Sequence, residues 1–457
     1  MQSVVDRRLY YRRNDDNTLS IVCVYVDDNR MTSTSKEVRD EFVTSFERNF
    51  PNSVAPGALA ASVANDFAGA KYEKIGEGVD ARIEVSCPRL HAKLRKMIEA
   101  LPADQRLFEG VPTDTPMDKD ALKTLFESAK NDPHLSEARV KVAQRIGGLG
   151  GYIVLCCRPD AYFAYVVLTQ YLGHGLTVVV WDALIRWATY IYVNTALRLT
   201  YRASSAGRPW EMFVDSSLFN APNSRSMGGF CALYPGSGVF TWRCFSPRKL
   251  GTSSGAAETI MAAHAVHHIL GQRILDRELE IHTGEPTNLY TDNLATLQGT
   301  QMENVPADQR YLAARRAVLR QAAIEEKVVR LLKVVTDDNP ADIFTKPLEG
   351  AQFLKLRAII MGVSDLAASA PLAAAREPDV ECVHFLAGLE ADSSSCELRG
   401  DSLLREELGL KVKNAGELHG GCPGGTNAGA RWSLVSPEKA QHPFVCESIV
   451  VSRPTIL

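Results

Sequence analysis

Four acidic residues in the middle of the chain stand where predicted strands end or predicted helices begin. Asp215 follows the apolar run at residues 212–214, and Glu258 opens an apolar helical stretch. Asp292 ends a second short strand, and Asp342 follows an Asn-Pro turn signal. The intervals between these acids are 43, 34 and 50 residues. Only a fold can bring such distant residues together at one site.

Four carboxylates without a cysteine ligand suit a hard divalent cation, because Mg²⁺ prefers carboxylate oxygens to sulfur or imidazole. Two such cations about 3.5–4 Å apart can make a water nucleophilic and stabilise a leaving alkoxide in phosphodiester hydrolysis. Carboxylates held this close repel one another, so we expect the cluster to destabilise the metal-free protein. The alternative is that each acid is a solvated surface group, and the pattern alone leaves both interpretations open.

The predicted elements around these acids are three strands, a helix, a strand, two helices and a final strand. Three strands before the first helix favour a mixed sheet in an α/β (α+β) fold. The predicted strands cover residues 212–214, 229–233, 239–242, 288–290 and 329–334, and the predicted helices cover residues 256–270 and 309–326, with a short one near residue 295.

The first hundred residues predict a hairpin followed by alternating helices and strands. Alternation at residues 8–12, polar turn residues and an apolar run at 19–26 are typical of a β-hairpin. Helices are expected at residues 35–46 and 90–101, with a strand at 81–85 between them. The polar, proline-punctuated residues 102–140 predict a connecting region with short helices.

Composition bounds the class of protein. A hydrophobic content of 45% and a charged content of 23% are typical of a globular chain, and the net charge of -3 gives no global attraction to nucleic acid. The ten cysteines show no zinc-site spacing, which favours an intracellular chain in the cytoplasm or nucleus. Charges interrupt the apolar residues 152–193, so we expect a buried core there and no membrane partner. The oligomeric state is left open.

Two further patterns have competing interpretations. The glycines at 147–151 follow a helical pattern and no strand, which favours close helix packing over a phosphate-binding loop. His264, His267 and His268 have the spacing of metal ligands on a helix. A partly exposed helix face is the favoured interpretation, because no further ligand is evident and hard cations prefer oxygen.

Four motifs around the acids resemble the ribonuclease H domain of copia-type retrotransposon polyproteins. All four acids of that family are present in chain order, and the last motif is the most specific. The motifs are Phe-Val-Asp at 213–215, Ser-Ser-Gly-Ala-Ala-Glu-Thr-Ile-Met-Ala at 253–262, Leu-Tyr-Thr-Asp-Asn at 289–293 and Ala-Asp-Ile-Phe-Thr-Lys-Pro-Leu at 341–348.

The resemblance implies a five-stranded mixed sheet with helices on both faces. It further implies an enzyme that cuts the RNA strand of an RNA–DNA hybrid with two Mg²⁺ ions, for which Mn²⁺ can substitute. The residues that it makes catalytic metal ligands are Asp215, Glu258, Asp292 and Asp342. Lys346, which follows in the last motif, is interpreted as a solvated lysine.

The implied partner, an RNA–DNA hybrid, needs a basic surface, because phosphate contacts position the duplex while 2′-hydroxyl groups distinguish RNA from DNA. The candidates for this role are Asn293, which ends the third motif, and Arg310, Arg315 and Arg316, which belong to a local excess of basic residues. An ordinary solvated helix face is the alternative. This chain has Arg-Tyr-Leu at 310–312, where the family has Lys-His-Ile.

Val-Tyr-Val-Asp-Asp at 24–28 resembles the palm motif of reverse transcriptases. That family holds the metal ions of nucleotidyl transfer with two aspartates, here Asp27 and Asp28, and with a third on an earlier palm strand. The earlier strand would lie before Met1. We therefore expect a truncated polymerase portion without polymerase activity.

The resemblance predicts four segments. These are a partial reverse-transcriptase palm and start of the thumb at 1–100, a thumb and connection region at 101–205, a ribonuclease H-like domain at 206–350 and a weakly structured tail at 351–457. The expected function is that of a polyprotein fragment with ribonuclease H activity. The alternatives are a decayed remnant that binds nucleic acid without catalysis, and another polynucleotidyl transferase such as an integrase.

Overall fold

The structure, a computed structural model, describes residues 1–14, 17–25, 28–49, 65–106, 114–173, 175–205, 207–221, 225–247, 251–282, 284–363 and 447–452. These residues belong to one compact unit, and a second unit at 377–442 lies outside the described residues. Helices are combined with two antiparallel sheets and one mixed sheet, in agreement with the predicted α/β class. In the part of the chain that is described, none of the helices combines the length and apolar character needed to cross a bilayer.

The first sheet begins with the predicted hairpin. Strands β1 and β2 pair antiparallel, and β3 continues the meander beside β2. Ser35 then caps the first helix, since its Oγ accepts a hydrogen bond of 3.2 Å from the backbone N–H of Val38. The bounds are β1 (Leu9–Arg13), β2 (Leu19–Tyr25), β3 (Asp28–Ser33) and α1 (Lys36–Asn49).

The last strand of the second, antiparallel sheet comes more than a hundred residues after the strand with which it pairs. The order of this sheet is β4-β5-β6-β7, and among the described residues five α-helices intervene between β6 and β7. The bounds are β4 (Asn65–Phe67), β5 (Ala70–Ile75), β6 (Arg82–Ser86), α2 (Pro88–Glu99), α3 (Ala121–Asn131), α4 (Glu137–Cys157), α5 (Tyr162–Thr169), α6 (Val178–Val193) and β7 (Leu199–Arg202).

The glycines at 147–151 lie within α4 and allow close helix packing, as predicted. A Cβ on Gly150 would lie 2.6 Å from the Trp187 ring of α6, which is closer than side chains approach one another. Trp187 is fully buried and its indole N–H donates to the carbonyl of Ala161 at 3.0 Å. These small residues therefore bring α4 and α6 together in the main core.

The third sheet has five strands in the order β10-β9-β8-β11-β12. Strand β8 pairs antiparallel with β9 and β9 with β10, whereas β11 runs parallel to both β8 and β12. Helices connect the parallel strands, as parallel pairing requires. The bounds are β8 (Glu211–Ala221), β9 (Arg225–Leu233), β10 (Val239–Phe245), α7 (Ser254–Glu278), β11 (Thr287–Thr291), α8 (Leu294–Gln301), α9 (Ala313–Arg320) and β12 (Val329–Lys333).

The two faces of this third sheet belong to different hydrophobic cores. Met212 and Val214 pack with α7 in one core, while the intervening Phe213 stacks on Tyr290 in the main core. This alternation follows from the two-residue period of a strand. The central strand β8 is therefore buried on both sides, which holds its polar residues in fixed places.

An α-helix and a strand of the described residues follow the third sheet. Helix α10 (Gly350–Met361) buries Phe353, Leu356 and Ile360 in the main core. Strand β13 (Glu447–Ser452) pairs antiparallel with β3. A domain boundary at residue 350 stays a prediction, and residues 364–446 and 453–457 of the predicted tail lie outside the described residues.

Candidate active site

Asp215 and Asp292 are brought level by the parallel pairing of β8 with β11. The register pairs Tyr290 with Phe213, and each aspartate lies two residues farther along its own strand direction. Asp215 is within the central strand, whereas Asp292 directly follows β11. The prediction that Asp292 follows a strand is confirmed, whereas the prediction that a strand ends at Asp215 is wrong, because β8 continues to Ala221.

Glu258 reaches the same place from the first turns of α7. Its Oε1 accepts a hydrogen bond of 2.9 Å from the backbone N–H of Ser216, and its Oε2 accepts one of 3.5 Å from the Thr291 hydroxyl. The helix begins at a defined point because the Ser253 Oγ accepts from the Ala256 N–H at 3.2 Å. Glu258 is thus held between β8 and β11.

Asp215, Glu258 and Asp292 form what we call the three-acid cluster. Each offers a carboxylate oxygen, and these oxygens all lie within 4.8 Å of one another. Asp215 and Glu258 are buried, and Asp292 is half-buried. Among the described residues, this is the one group of three or more acidic, histidine or cysteine side chains with that proximity. The all-oxygen donor set fits a hard divalent cation.

Asp342 lies in a short 3₁₀ helix, Pro340–Phe344, that is fastened to β8. The Asn339 Oδ1 accepts from the Ala341 N–H at 3.1 Å and caps this turn, while its Nδ2 donates to the Val214 carbonyl at 3.0 Å. Asp342 is buried, and its Oδ1 has no hydrogen-bond partner within the described part of the chain. The sequence correctly predicted that this acid follows a turn and lies near a helix start.

The turn can approach the sheet because a glycine faces it. Gly229 of β9 is the register partner of Asp215. A Cβ on Gly229 would lie 2.6 Å from the Phe344 Cβ and 3.2 Å from its carbonyl oxygen. The close contact between β9 and the 3₁₀ helix therefore depends on the missing side chain.

Lys346 was interpreted from the sequence as a solvated lysine, and that interpretation is wrong. Its Nζ lies 2.9 Å from the Asp342 Oδ2 and 3.7 Å from the Asp215 Oδ2. The preceding Thr345 donates its hydroxyl proton to the same Asp215 oxygen. The turn that carries Asp342 returns the chain over the site, so the residue four positions later lies beside it. The i, i+4 spacing of Asp342 and Lys346 was the available signal.

The electrostatics of the site show an excess of negative charge. Burial, followed by the nearby Asp215 and Asp292 carboxylates, raises the pKa of Glu258 well above its usual value. Burial and then Asp215 raise the pKa of Asp342 to about 8, and the same two causes raise the pKa of Asp292. Burial lowers the pKa of Lys346, but Asp215 and Asp342 outweigh it and the net shift is upward. The site therefore favours bound protons or cations.

The four residues predicted to bind nucleic acid lie on and near α8 and α9. Asn293 follows Asp292 and caps α8, since its Oδ1 accepts from the Thr296 N–H at 3.1 Å. Arg310 is exposed and Arg315 is half-buried. Arg316 donates to the Gln309 side chain and packs within 3.1 Å of the place where a Gly299 Cβ would stand. A role in binding the hybrid stays a prediction for all four.

The histidines of α7 contact their own helix and the neighbouring sheet. His267 Nδ1 lies 2.7 Å from the Ala263 carbonyl oxygen, and His268 Nε2 lies 3.0 Å from the Thr241 hydroxyl. His264 packs edge-on against Phe245 of β10. These contacts and the intermediate exposure of all three histidines agree with the favoured interpretation, a partly exposed helix face.

The predicted polymerase acids are described only in part. Asp27 lies outside the described residues. Asp28 begins β3 and is the register partner of Tyr25 at the end of β2, and its side chain is not described. The metal-ligand role of both residues stays a prediction.

No protein-family model matches the chain. The chain is 21% identical over 362 residues to the "Retrovirus-related Pol polyprotein from transposon TNT 1-94" of Nicotiana tabacum. The alignment covers 77% of this chain and 25% of that protein, so the chain spans about a quarter of the relative's length. The similarity supports a relationship to retrotransposon Pol polyproteins.

Proposed function

We propose that this chain is a ribonuclease H of a copia-type retrotransposon polyprotein, which hydrolyses the RNA strand of RNA–DNA hybrids with the help of divalent cations. The observation that carries the proposal is the three-acid cluster, with Asp342 beside it on a turn fastened to the same strand. The acids come from four separate elements and face one another in a buried site. This is the arrangement that metal-dependent phosphodiester hydrolysis needs.

The fold supports the same proposal. The ribonuclease H resemblance implies a five-stranded mixed sheet with helices on both faces, and the acids lie on or beside a sheet of five strands with parallel and antiparallel pairs. Helix α7 covers one face, and the other face belongs to the main core that contains α10. The similarity to a retrotransposon Pol polyprotein supports the origin of the chain.

Each residue of the site has a distinct part in the proposed reaction. Bound Mg²⁺ supplies the positive charge that lowers the pKa of an attacking water and stabilises the leaving alkoxide. Asp215, Glu258 and Asp292 would hold it, and Asp342 would complete the site beside them. The Ser216 N–H and the Thr291 hydroxyl orient Glu258, and the Thr345 hydroxyl orients Asp215. Such partners fix the geometry of metal ligands.

The proposal extends to nucleic-acid recognition. Arg310 is exposed on the turn that precedes α9, and Asn293 follows the ligand Asp292 directly. These two side chains would contact the hybrid near the cut, where phosphate and 2′-hydroxyl groups are available. Arg316 would instead support this surface, because its guanidinium bonds Gln309 within the same segment.

The proposed function is tested by incubating the full chain with an RNA–DNA hybrid labelled on the RNA strand, in the presence of Mg²⁺. We expect cleavage of the RNA strand, loss of cleavage with EDTA, and loss of cleavage in Asp215→Asn and Asp292→Asn. Asp104→Asn, which changes an exposed acid on a distant 3₁₀ helix, is the matched control. Single-stranded RNA and duplex DNA serve as substrate controls.

Absence of cleavage by the unchanged chain, or equal cleavage by the variants of Asp215 and Asp292, would reject the ribonuclease H proposal. Hybrid binding without cleavage would favour a remnant that only binds nucleic acid. The same preparation serves for the polymerase portion, which we propose to be inactive. Extension of a primer on an RNA template by the unchanged chain would contradict that part.

A further inference from the structure

A lysine side chain lies among the acids of the candidate site and pairs with two of them. The Lys346 ammonium lies 2.9 Å from Asp342 and 3.7 Å from Asp215, and its side chain is 31% exposed. We call Asp215 and Asp342 the aspartate pair. Asp215 belongs to both the three-acid cluster and the aspartate pair, so it connects two sites for positive charge.

The two sites differ in what they offer to a cation. The three-acid cluster presents one oxygen from each of three carboxylates within 4.8 Å, which suits one divalent ion. Asp342 is not a member of that cluster. At the aspartate pair, the chain supplies its own cation, because the ammonium contacts an oxygen of each carboxylate.

The charge balance of the site also argues against a second divalent ion at the aspartate pair. Buried carboxylates are stable only when they are paired with cations or protonated. When all four acids are ionised, the ammonium offsets one negative charge, and one divalent ion at the three-acid cluster offsets two more. A second divalent ion would have to share the aspartate pair with an ammonium only a few ångströms away, and like charges at that distance repel strongly.

The backbone holds Lys346 in this place. Its N–H donates to the Asp342 carbonyl at 3.2 Å, and the Thr345 N–H donates to the same carbonyl at 3.1 Å. The Ser217 hydroxyl donates to the Thr345 carbonyl at 2.7 Å, which fastens the segment to β8. The ammonium is therefore delivered to the aspartate pair by a turn with fixed geometry and not by a free surface chain.

We infer that the Lys346 ammonium takes the place of a second divalent cation at the aspartate pair, so that the protein binds one divalent ion strongly, at the three-acid cluster. This inference rests on the proposed function only for its catalytic consequence, and the metal stoichiometry can be measured without substrate. Its consequence for hydrolysis is that the positive charge beside Asp342 comes from the chain. Asp342 Oδ1 is buried and has no hydrogen-bond partner among the described residues.

The experiment measures Mn²⁺ binding to the full, metal-free chain by calorimetry and by the electron paramagnetic resonance signal of free Mn²⁺. We expect one strong ion in the unchanged chain and in Lys346→Arg. We expect two in Lys346→Met, which keeps the aliphatic stem and removes the charge. Lys123→Met, an exposed lysine on α3, is the matched control and should bind one.

The outcomes decide the inference in either direction. A second ion that is absent from the unchanged chain, or bound at least tenfold more weakly there than in Lys346→Met, supports it. Two equally strong ions in the unchanged chain overturn it, and this result does not depend on whether any variant folds. A single ion in a folded Lys346→Met chain also overturns it, because no second position would then exist for the lysine to fill.

Cleavage of the hybrid gives an independent arm. The dependence of the rate on Mg²⁺ concentration should be first order in the unchanged chain and approach second order in Lys346→Met. If no chain cleaves the hybrid but the Mn²⁺ stoichiometry changes from one to two, the proposed function fails and the assignment of Lys346 stands. If cleavage occurs and every chain binds two ions, the proposed function stands and the assignment of Lys346 fails.

Discussion

Asp215 interacts with both parts of the site, the three-acid cluster and the turn that carries Lys346. Its carboxylate belongs to the three-acid cluster, pairs with Lys346 and accepts the Thr345 hydroxyl proton. These partners fix the orientation of the Asp215 carboxylate before a cation binds. The residues that hold Asp215 should therefore affect metal affinity although they are not ligands.

Substitution of Thr345 tests whether a single hydrogen bond to Asp215 affects metal affinity. Thr345→Val keeps the buried volume and removes the hydroxyl that bonds Asp215. We expect Mn²⁺ affinity to fall by about 10- to 100-fold, the usual effect of losing a residue that orients a metal ligand. Thr345→Ser keeps a hydroxyl and should retain most of the affinity. Equal affinity in Thr345→Val and the unchanged chain, measured by calorimetry, would contradict the orienting role.

The raised acid pKa values give a pH dependence with a defined sign. Burial and Asp215 raise the pKa of Asp342 from 3.8 to about 8, and the pKa of Glu258 also rises. The folded chain then holds protons that the unfolded chain has released. In EDTA, the free energy of unfolding should therefore decrease as the pH rises from about 4 to about 8.

Thermal unfolding across this pH range measures how the free energy of unfolding changes with pH. Asp342→Asn removes one of the titrating groups and should flatten the slope in EDTA. Saturating Mg²⁺ should oppose this loss of stability with rising pH, because cations displace the protons and stabilise the folded chain more at higher pH. A metal-free chain that becomes more stable as the pH rises through this range would count against buried, mutually repelling acids.

At the scale of elements, the site depends on how closely the 3₁₀ helix with Asp342 approaches β9. Gly229→Ala introduces a methyl group that would lie 2.6 Å from the Phe344 Cβ. The backbone must move to relieve this contact, at a cost of about 1–3 kcal/mol in the free energy of unfolding. Because the displaced turn carries Asp342 and Lys346, we also expect weaker hybrid cleavage.

The matched control for this change is Gly148→Ala. Gly148 lies in α4, and a Cβ there would have no atom within 4 Å. Alanine favours a helix over glycine by about 1 kcal/mol, so this variant should be as stable as the unchanged chain or slightly more stable. Chemical denaturation followed by circular dichroism compares the two. Similar stabilities for both glycine variants would show that the turn does not need the close approach.

The sequence predicted elements well where local pattern decides them. The strand before Asp292, the hairpin and the turn before Asp342 all follow from periodicity and turn chemistry, whereas β8 continues to Ala221, beyond the predicted strand end at Asp215. Lys346 was missed although Asp342 lies only four residues before it, because its approach to Asp215, 131 residues away in the chain, does not follow from a local pattern. The role of Gly229 was missed for the same reason, since its neighbour Phe344 belongs to a distant turn.

For the whole molecule, the main question is whether the site belongs to a unit that stands alone. The sequence resemblance predicts a domain at 206–350, while the main core contains residues from β5 to α10. Phe353 of α10 packs edge-on against Tyr190 of α6, with ring centroids 6.1 Å apart. Tyr190 donates to Asp160, which forms a buried ion pair with Arg158 at 2.8 Å. The third sheet and the preceding helices are thus joined through α10.

Phe353→Ala tests whether this junction stabilises the site. Phe353 is 2% exposed, and truncating a buried phenylalanine costs about 3–5 kcal/mol in the free energy of unfolding. Leu354 is the next residue of the same helix and is 46% exposed, so Leu354→Ala should change stability by no more than about 0.5 kcal/mol. If the helices and the third sheet unfold together, tryptophan fluorescence and loss of Mn²⁺ binding will shift together in Phe353→Ala. A variant in which Mn²⁺ binding keeps its original midpoint while the fluorescence midpoint falls would show instead that the site unfolds independently, as a separate domain would.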